Sequence, residues 1–128
     1  MQLLLWHGNC DVRTATDNAA IALHMANQKE IPIYMGMARA LEREDINATE
    51  VHGGNGIGGV QVETSPSFYI EESKEKTAVD YLIDKAKGEP NEITIAAIGP
   101  LTNIAVAVQK DKEFAKRVKR LVIMGRSR

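Results

Sequence analysis

The chain has 128 residues, 44% of them hydrophobic and 26% charged, with sixteen basic against seventeen acidic side chains and a net charge of −1. That length fits a single domain, residues 1–128, able to bury roughly two-thirds of its surface. The balanced charge, with no basic block, excludes polymeric nucleic acid as a partner, and no apolar run is long enough to cross a bilayer, so no membrane span is expected.

Met1-Gln2-Leu3-Leu4-Leu5-Trp6 has neither the cationic start nor the small-residue cleavage site of a secretory leader and reads as a short strand over Leu3 to Trp6. Cys10 is the single cysteine and cannot form an internal disulfide, which fits a reducing compartment, with the cytoplasm as the default. Asp11 stands where an N-cap belongs, able to accept from the amides of Arg13 or Thr14. The helix it opens is predicted to run to about Gln28 with Val12, Ala15, Ala19, Ala22, Leu23 and Ala26 on its inner face. Ile31-Pro32-Ile33-Tyr34-Met35-Gly36 is the next strand, with proline at its start, where a missing ladder donor does least harm.

From Ala38 to about Ser73 the periodicity fails and the composition turns polar and glycine-rich, so this stretch is expected to be a mobile, active-site-type loop. Helical spacing returns over Lys76 to Lys87, with Gly88 as its stop. Ile93 to Ile98 is a run of β-branched and small apolar residues without charge, which predicts a strand buried on both faces. Gly99-Pro100 ends it, and proline suits the first turn of a following helix whose inner face is expected at Leu101, Ile104, Ala105 and Val108. A short charged helix over Glu113 to Lys119 and a strand over Leu121 to Met124 complete the chain. Alternating strands and helices imply an α/β fold: a doubly wound, mainly parallel sheet with helices on both faces.

Ligands of such sheets collect at the carboxyl ends of strands, which draws attention to the carbonyl of Ile98 and to Thr102 and Asn103. Gly54, Gly56 and Gly59 form a literal G-x-G-x-x-G, with Asp80 near the distance of a ribose-binding acid. The pattern has no predicted strand before it and no helix opening within it, so a dinucleotide site is a weak reading and a flexible turn the better one. His52 ends a polar run without apolar periodicity, which leaves a solvated loop histidine and a functional one both open. Asn9 after Gly8 is open in the same way between turn chemistry and ligand contact. His7 and His24 point to no chemistry, and His24 is expected on an exposed helix face. Asp80 and Asp84, one helical turn apart beside Lys85, read as a solvated face.

The string ITIAAIGPLTNIAVA, the later RVKRLVIMG, Gly8-Asn9 followed by Thr16-Asp17-Asn18-Ala19, and Val51-His52-Gly53 together resemble the nucleoside hydrolases, the calcium-dependent N-ribohydrolases of purine and pyrimidine nucleosides. The resemblance covers nearly the whole chain but only part of the family's length. It implies hydrolysis of the N-glycosidic bond of ribonucleosides to ribose and free base, with a ribonucleoside as the partner. It further implies that the Asn9 side chain contacts the ribose hydroxyls, that His52 faces the nucleoside at the mouth of the site, and that the main-chain carbonyl of Ile98 is a calcium ligand.

The family draws its remaining calcium ligands from an aspartate-rich D-x-D-x-x-x-D-D segment and from a later aspartate beside the leaving-group acid. Asp11, Asp17, Asp45, Asp80, Asp84 and Asp111 do not reproduce that spacing, so no catalytic residue is assigned. Two expectations follow: a nucleoside hydrolase relative that does not turn over substrate by itself, or a non-catalytic truncated relative acting as a binding or assembly module. By the same resemblance a central strand is missing between Leu3 to Trp6 and Ile93 to Ile98. Direct parallel pairing of those two segments is therefore expected, in a marginal, aggregation-prone protein open to forming a homo-oligomer.

Overall fold

The longest element, helix α1 (Val12–Met25), begins where a carboxylate meets unpaired amides. Asp11 Oδ1 accepts from the amides of Arg13 and Thr14 at 3.0 Å each, and its Oδ2 accepts from the Thr14 hydroxyl at 2.5 Å. Bonding to Thr14, first through its hydroxyl and then its amide, holds the Asp11 carboxyl below its ordinary pKa. The helix stops at Asn27, which takes a left-handed φ of 54°. The Gln28 amide donates to the Leu23 carbonyl and the Asn27 amide to that of His24, so the last carbonyls find partners in a Schellman arrangement.

The computed structural model describes residues 3–4, 10–37, 49–62 and 75–125. They divide between two compact units, Met1–Ala78 and Val79–Arg128. In the first, strand β1 (Leu3–Leu4) pairs in parallel with β2 (Ile33–Tyr34), with Leu3 opposite Ile33 and Leu4 opposite Tyr34. Helix α1 is the crossover and packs on β2, where both residues are buried. Its deepest positions are Val12, Thr16 and Ala20, while Ala22 and Ala26 are exposed and His24 is half-buried. The face is thus set by an i, i+4 row that includes a threonine, which apolar spacing passes over. Thr16 tolerates burial because its hydroxyl donates to the Val12 carbonyl at 2.6 Å.

A single helical turn, α2 (Thr49–His52), interrupts the stretch expected to be loop throughout. Residues 38–48 and 63–74 of that stretch, and with them its predicted mobility, lie outside the described residues.

In the second unit, helix α3 (Ala78–Gly88) buries Val79, Leu82, Ile83 and Ala86 at the spacing the sequence predicts. Ala78, the last residue of the first unit, donates its amide to the Met35 carbonyl of that same unit at 3.0 Å. Strand β3 (Thr94–Ala97) leads into helix α4 (Thr102–Lys110), then the short α5 (Phe114–Arg117) and strand β4 (Arg120–Ile123). Strands β3 and β4 are parallel, in register from Thr94 opposite Arg120 to Ala97 opposite Ile123. Phe114 is 1% exposed and anchors the α4 to α5 corner. The Asp111 carboxylate ties that corner to Arg117 at 2.7 Å and Lys87 at 3.6 Å. Desolvation works against that charge, yet the Glu113 amide, Arg117 and Lys87 outweigh it and hold the Asp111 carboxyl below its ordinary pKa.

Three expectations are corrected here. Leu3 to Trp6 was expected to pair with Ile93 to Ile98, but among the described residues β1 takes β2 and β3 takes β4 in separate ladders. Each strand finds the partner its own short crossover delivers. The Ile93 to Ile98 segment is not buried on both faces: Ala97 is buried, Thr94 and Ala96 are exposed, and Ile98 is 76% exposed. Burial of both faces requires a wide, covered sheet, and this ladder has two strands. Helix α4 starts one residue later than predicted, leaving Leu101 exposed at the cap and turning Asn103 and Ala107 inward.

Candidate functional site

His52 is the last residue of α2, and the glycine-rich turn begins immediately after it. Gly53, Gly56, Gly58 and Gly59 all have positive φ, between 68° and 81°. This left-handed backbone carries a penalty for residues with a Cβ, which is why the turn is built from glycine. Two backbone bonds tighten it, from the Gly58 amide to the His52 carbonyl at 2.7 Å and from the Gly56 amide to the Gly53 carbonyl at 3.0 Å.

Asn55 organises the remainder. Its Oδ1 accepts from the amides of Gly59 at 2.8 Å and Ile57 at 3.2 Å, and its Nδ2 donates to the Val60 carbonyl at 3.0 Å. One side chain thus satisfies three main-chain groups of the turn. The half-buried His52 is thereby carried by a braced segment rather than a slack one. The turn follows a helix, not a strand, and no helix opens within its described residues, so the dinucleotide context is absent.

The turn also meets α1. Asn18 Nδ2 donates to the Asn55 carbonyl at 2.8 Å. A Cβ on Gly56 would stand 2.7 Å from Cys10 Sγ and 3.2 Å from Asn18 Nδ2, so only a glycine lets the backbone come this close. Cys10 beneath it is 5% exposed, and burial first, then the neighbouring Asp11 charge, pushes its thiol pKa up. Asp17, one residue before Asn18, is also raised: burial dominates, Arg13 opposes it and Asp11 adds to it.

Of the residues expected from the sequence to touch ligand, Asn9 lies outside the described residues, directly before the buried Cys10. His52 belongs to the first unit and Ile98 to the second. Ile98 follows the last ladder residue of β3, Ala97, whose carbonyl accepts from the Met124 amide at 2.8 Å. Asn103, in the first turn of α4, is buried, and Thr102 half-buried. Asn18 and Asn55 escaped the sequence reading as site residues because their contact joins positions far apart in the chain. The available signals were an asparagine in Thr16-Asp17-Asn18-Ala19 and another set among glycines.

Among the described residues no group of three or more His, Cys, Asp or Glu side chains is placed to hold a metal ion. Calcium takes about six to eight oxygen ligands. A single carbonyl at Ile98 does not meet that demand, and the described residues do not fit a calcium cage.

Parallel strands joined by helical crossovers make this an α/β protein. Residues 3–127 match the inosine-uridine preferring nucleoside hydrolases, and the chain belongs to that family. It is 39% identical over 119 residues to a probable uridine nucleosidase 2 of Oryza sativa subsp. japonica, covering 92% of this chain and 34% of that protein. Among solved structures it resembles a plant nucleoside hydrolase with a TM-score of 0.87 at 39% identity, over 98% of this chain and 39% of the other. A purine-preferring ribonucleoside hydrolase from Gardnerella vaginalis is similar with a TM-score of 0.81 at 28% identity, over 94% and 38% of the two chains. The chain thus spans between a third and two-fifths of the length of these relatives.

Proposed function

We propose that this chain carries the nucleoside-contacting part of an N-ribohydrolase site, for the reaction that converts a ribonucleoside and water to ribose and free base. Residues 1–128 are read as one partial nucleoside hydrolase-like domain. The observation that carries the reading is the family match across residues 3–127, which includes the His52 turn and the end of β3. Breaking an N-ribosyl bond builds positive charge on the sugar, so a site must grip the ribose hydroxyls, present a water and let the base leave with its electrons. In this reading the Asn9 amide donates to one ribose hydroxyl and accepts from another. The His52 imidazole donates to a hydroxyl or to the base. Activation of water is assigned to no described residue. Calcium belongs to the reading only as the family's expected ion, to which this chain would bring the Ile98 carbonyl. Cytoplasmic nucleoside salvage is the setting this reading supplies. The base preference is left between uridine and inosine, since the two kinds of relative differ in theirs.

Titrating the chain with uridine or inosine while following the His52 ring signals by NMR tests the contact. A saturable shift is expected with the nucleosides and none with the free bases; no shift with either nucleoside sinks the reading. The second reading, a non-catalytic binding or assembly module, rests on the sequence, whose aspartates do not reproduce the D-x-D-x-x-x-D-D spacing. Ribose release by the chain itself would exclude it.

A further inference from the structure

The first unit contains a contact that the chemistry above does not use. Asn18, on the exposed-to-buried boundary of α1, reaches across to the turn that follows His52 and donates to the Asn55 carbonyl at 2.8 Å. The same turn seats Gly56 on Cys10 with no room for a Cβ. Asn55, whose carbonyl is gripped, is also the residue whose side chain bonds Ile57, Gly59 and Val60. Gly58 in turn bonds the His52 carbonyl. The chain of contacts therefore runs from Asn18 through Asn55 and the turn to the backbone of His52. Its other foot, Cys10, adjoins Asn9 in sequence.

We propose that Asn18 is a positioning residue: its amide clasps the glycine-rich turn onto the start of α1, which fixes where His52 stands relative to Cys10 and the first turns of that helix. The assignment rests on the nucleoside reading for its purpose but not for its geometry. Hydrogen bonding alone would let the turn slide, and the Gly56 to Cys10 contact stops it. Close contact alone would let the turn lift, and the Asn18 bond resists that. The two contacts act on the same opening, so losing either exposes the same buried thiol.

Cys10 is the single cysteine and lies under the turn, which makes it the reporter. Labelling with a chromogenic disulfide reagent measures how often the turn lifts. Asn18→Asp keeps the shape but replaces the donor by a carboxylate facing a carbonyl, and labelling is expected to rise about tenfold, the factor one net hydrogen bond can supply. Gly56→Ala drives the turn off its seat and is expected to raise labelling at least as much. The double variant should label at the rate of Gly56→Ala, because a lifted turn has no bond left to lose.

Ala20→Gly weakens α1 away from the turn and serves as the control for general loss of stability. At equal stability loss it should label more slowly than Asn18→Asp. The positioning role has its own signature: His52 ring signals, assigned with a His52→Gln variant, should move in Asn18→Asp while those of His24 stay in place. Labelling of Asn18→Asp at the wild-type rate, at the Ala20→Gly rate, or with effects that multiply in the double variant would overturn the clasp. Unmoved His52 signals would overturn the positioning. A clasp that passes these tests while uridine and inosine leave His52 unshifted keeps the geometry and removes the nucleoside reading, so the two failures are distinct.

Discussion

At the scale of single residues, most of what can be tested lies around the start of α1. Asp11→Ala removes the acceptor for two amides and a hydroxyl, and a loss of about 1 kcal/mol is expected in urea denaturation at neutral pH. The pH dependence has a definite sign. The folded pKa of Asp11 is lowered, so its contribution is present above the unfolded carboxylate pKa and is lost as pH falls through the folded value. Asp17 is raised, so it acts oppositely: its contribution is complete below the unfolded pKa and disappears as pH rises through the folded one. Asp17→Asn should therefore lessen the stability lost between acidic and neutral pH, while Asp11→Ala should flatten the acid limb, both read from denaturation midpoints across that range. The Asp11 cap was legible in the sequence because it is local, spanning two and three residues. The bond from Asn18 to Asn55 was not, because it joins residues 37 apart and nothing in either residue's neighbourhood announces the other.

At the scale of elements, periodicity identified the helices well where the inner face is wholly apolar, as in α3, and misplaced it where a polar residue shares the face. Thr16 in α1 and Asn103 in α4 are both buried, and a count of apolar spacings ignores both. Strand positions were legible and strand burial was not, since an apolar run reports what a strand could bury rather than what lies beside it. The α4 to α5 corner gives a sharp test. Phe114→Ala removes a side chain that is 1% exposed, at an expected cost of about 3–5 kcal/mol. Circular dichroism in urea should show a markedly lowered midpoint, and an unchanged one would mean that Phe114 does not anchor the corner. In the turn after α2, hydrogen exchange should find the Gly58 and Gly59 amides protected, since each donates to a fixed acceptor. Fast exchange at both would instead match the expectation of a loop mobile throughout.

For the whole molecule, family membership was legible because it rests on short strings spread along the chain, one inside α1, one running from β3 into α4 and one covering β4. Incubated with uridine or inosine, the chain alone is expected to release no ribose, with or without calcium. Calorimetry should find calcium bound no tighter than millimolar, because one carbonyl and scattered carboxylates do not make a cage of hard oxygens. Ribose release that calcium stimulates and a chelator abolishes would reverse both statements. The second unit also exposes Leu121, Val122, Ile123 and Met124 together with Ile98, an apolar strand of the kind that promotes association. Ile123→Lys should lower light scattering at a given protein concentration without lowering the melting temperature. Equal scattering would place the source of association elsewhere.

The parallel ladders also bear on how the chain acquires its structure in time. Leu3 pairs with Ile33 and Thr94 with Arg120, so neither ladder waits for a partner from the far end of the polypeptide. Loop closure grows more costly with the length enclosed, and short crossovers keep that cost low. On a ribosome, the first ladder and the helix that joins it can close while the residues of the second are still being added, so assembly proceeds from the amino terminus onward.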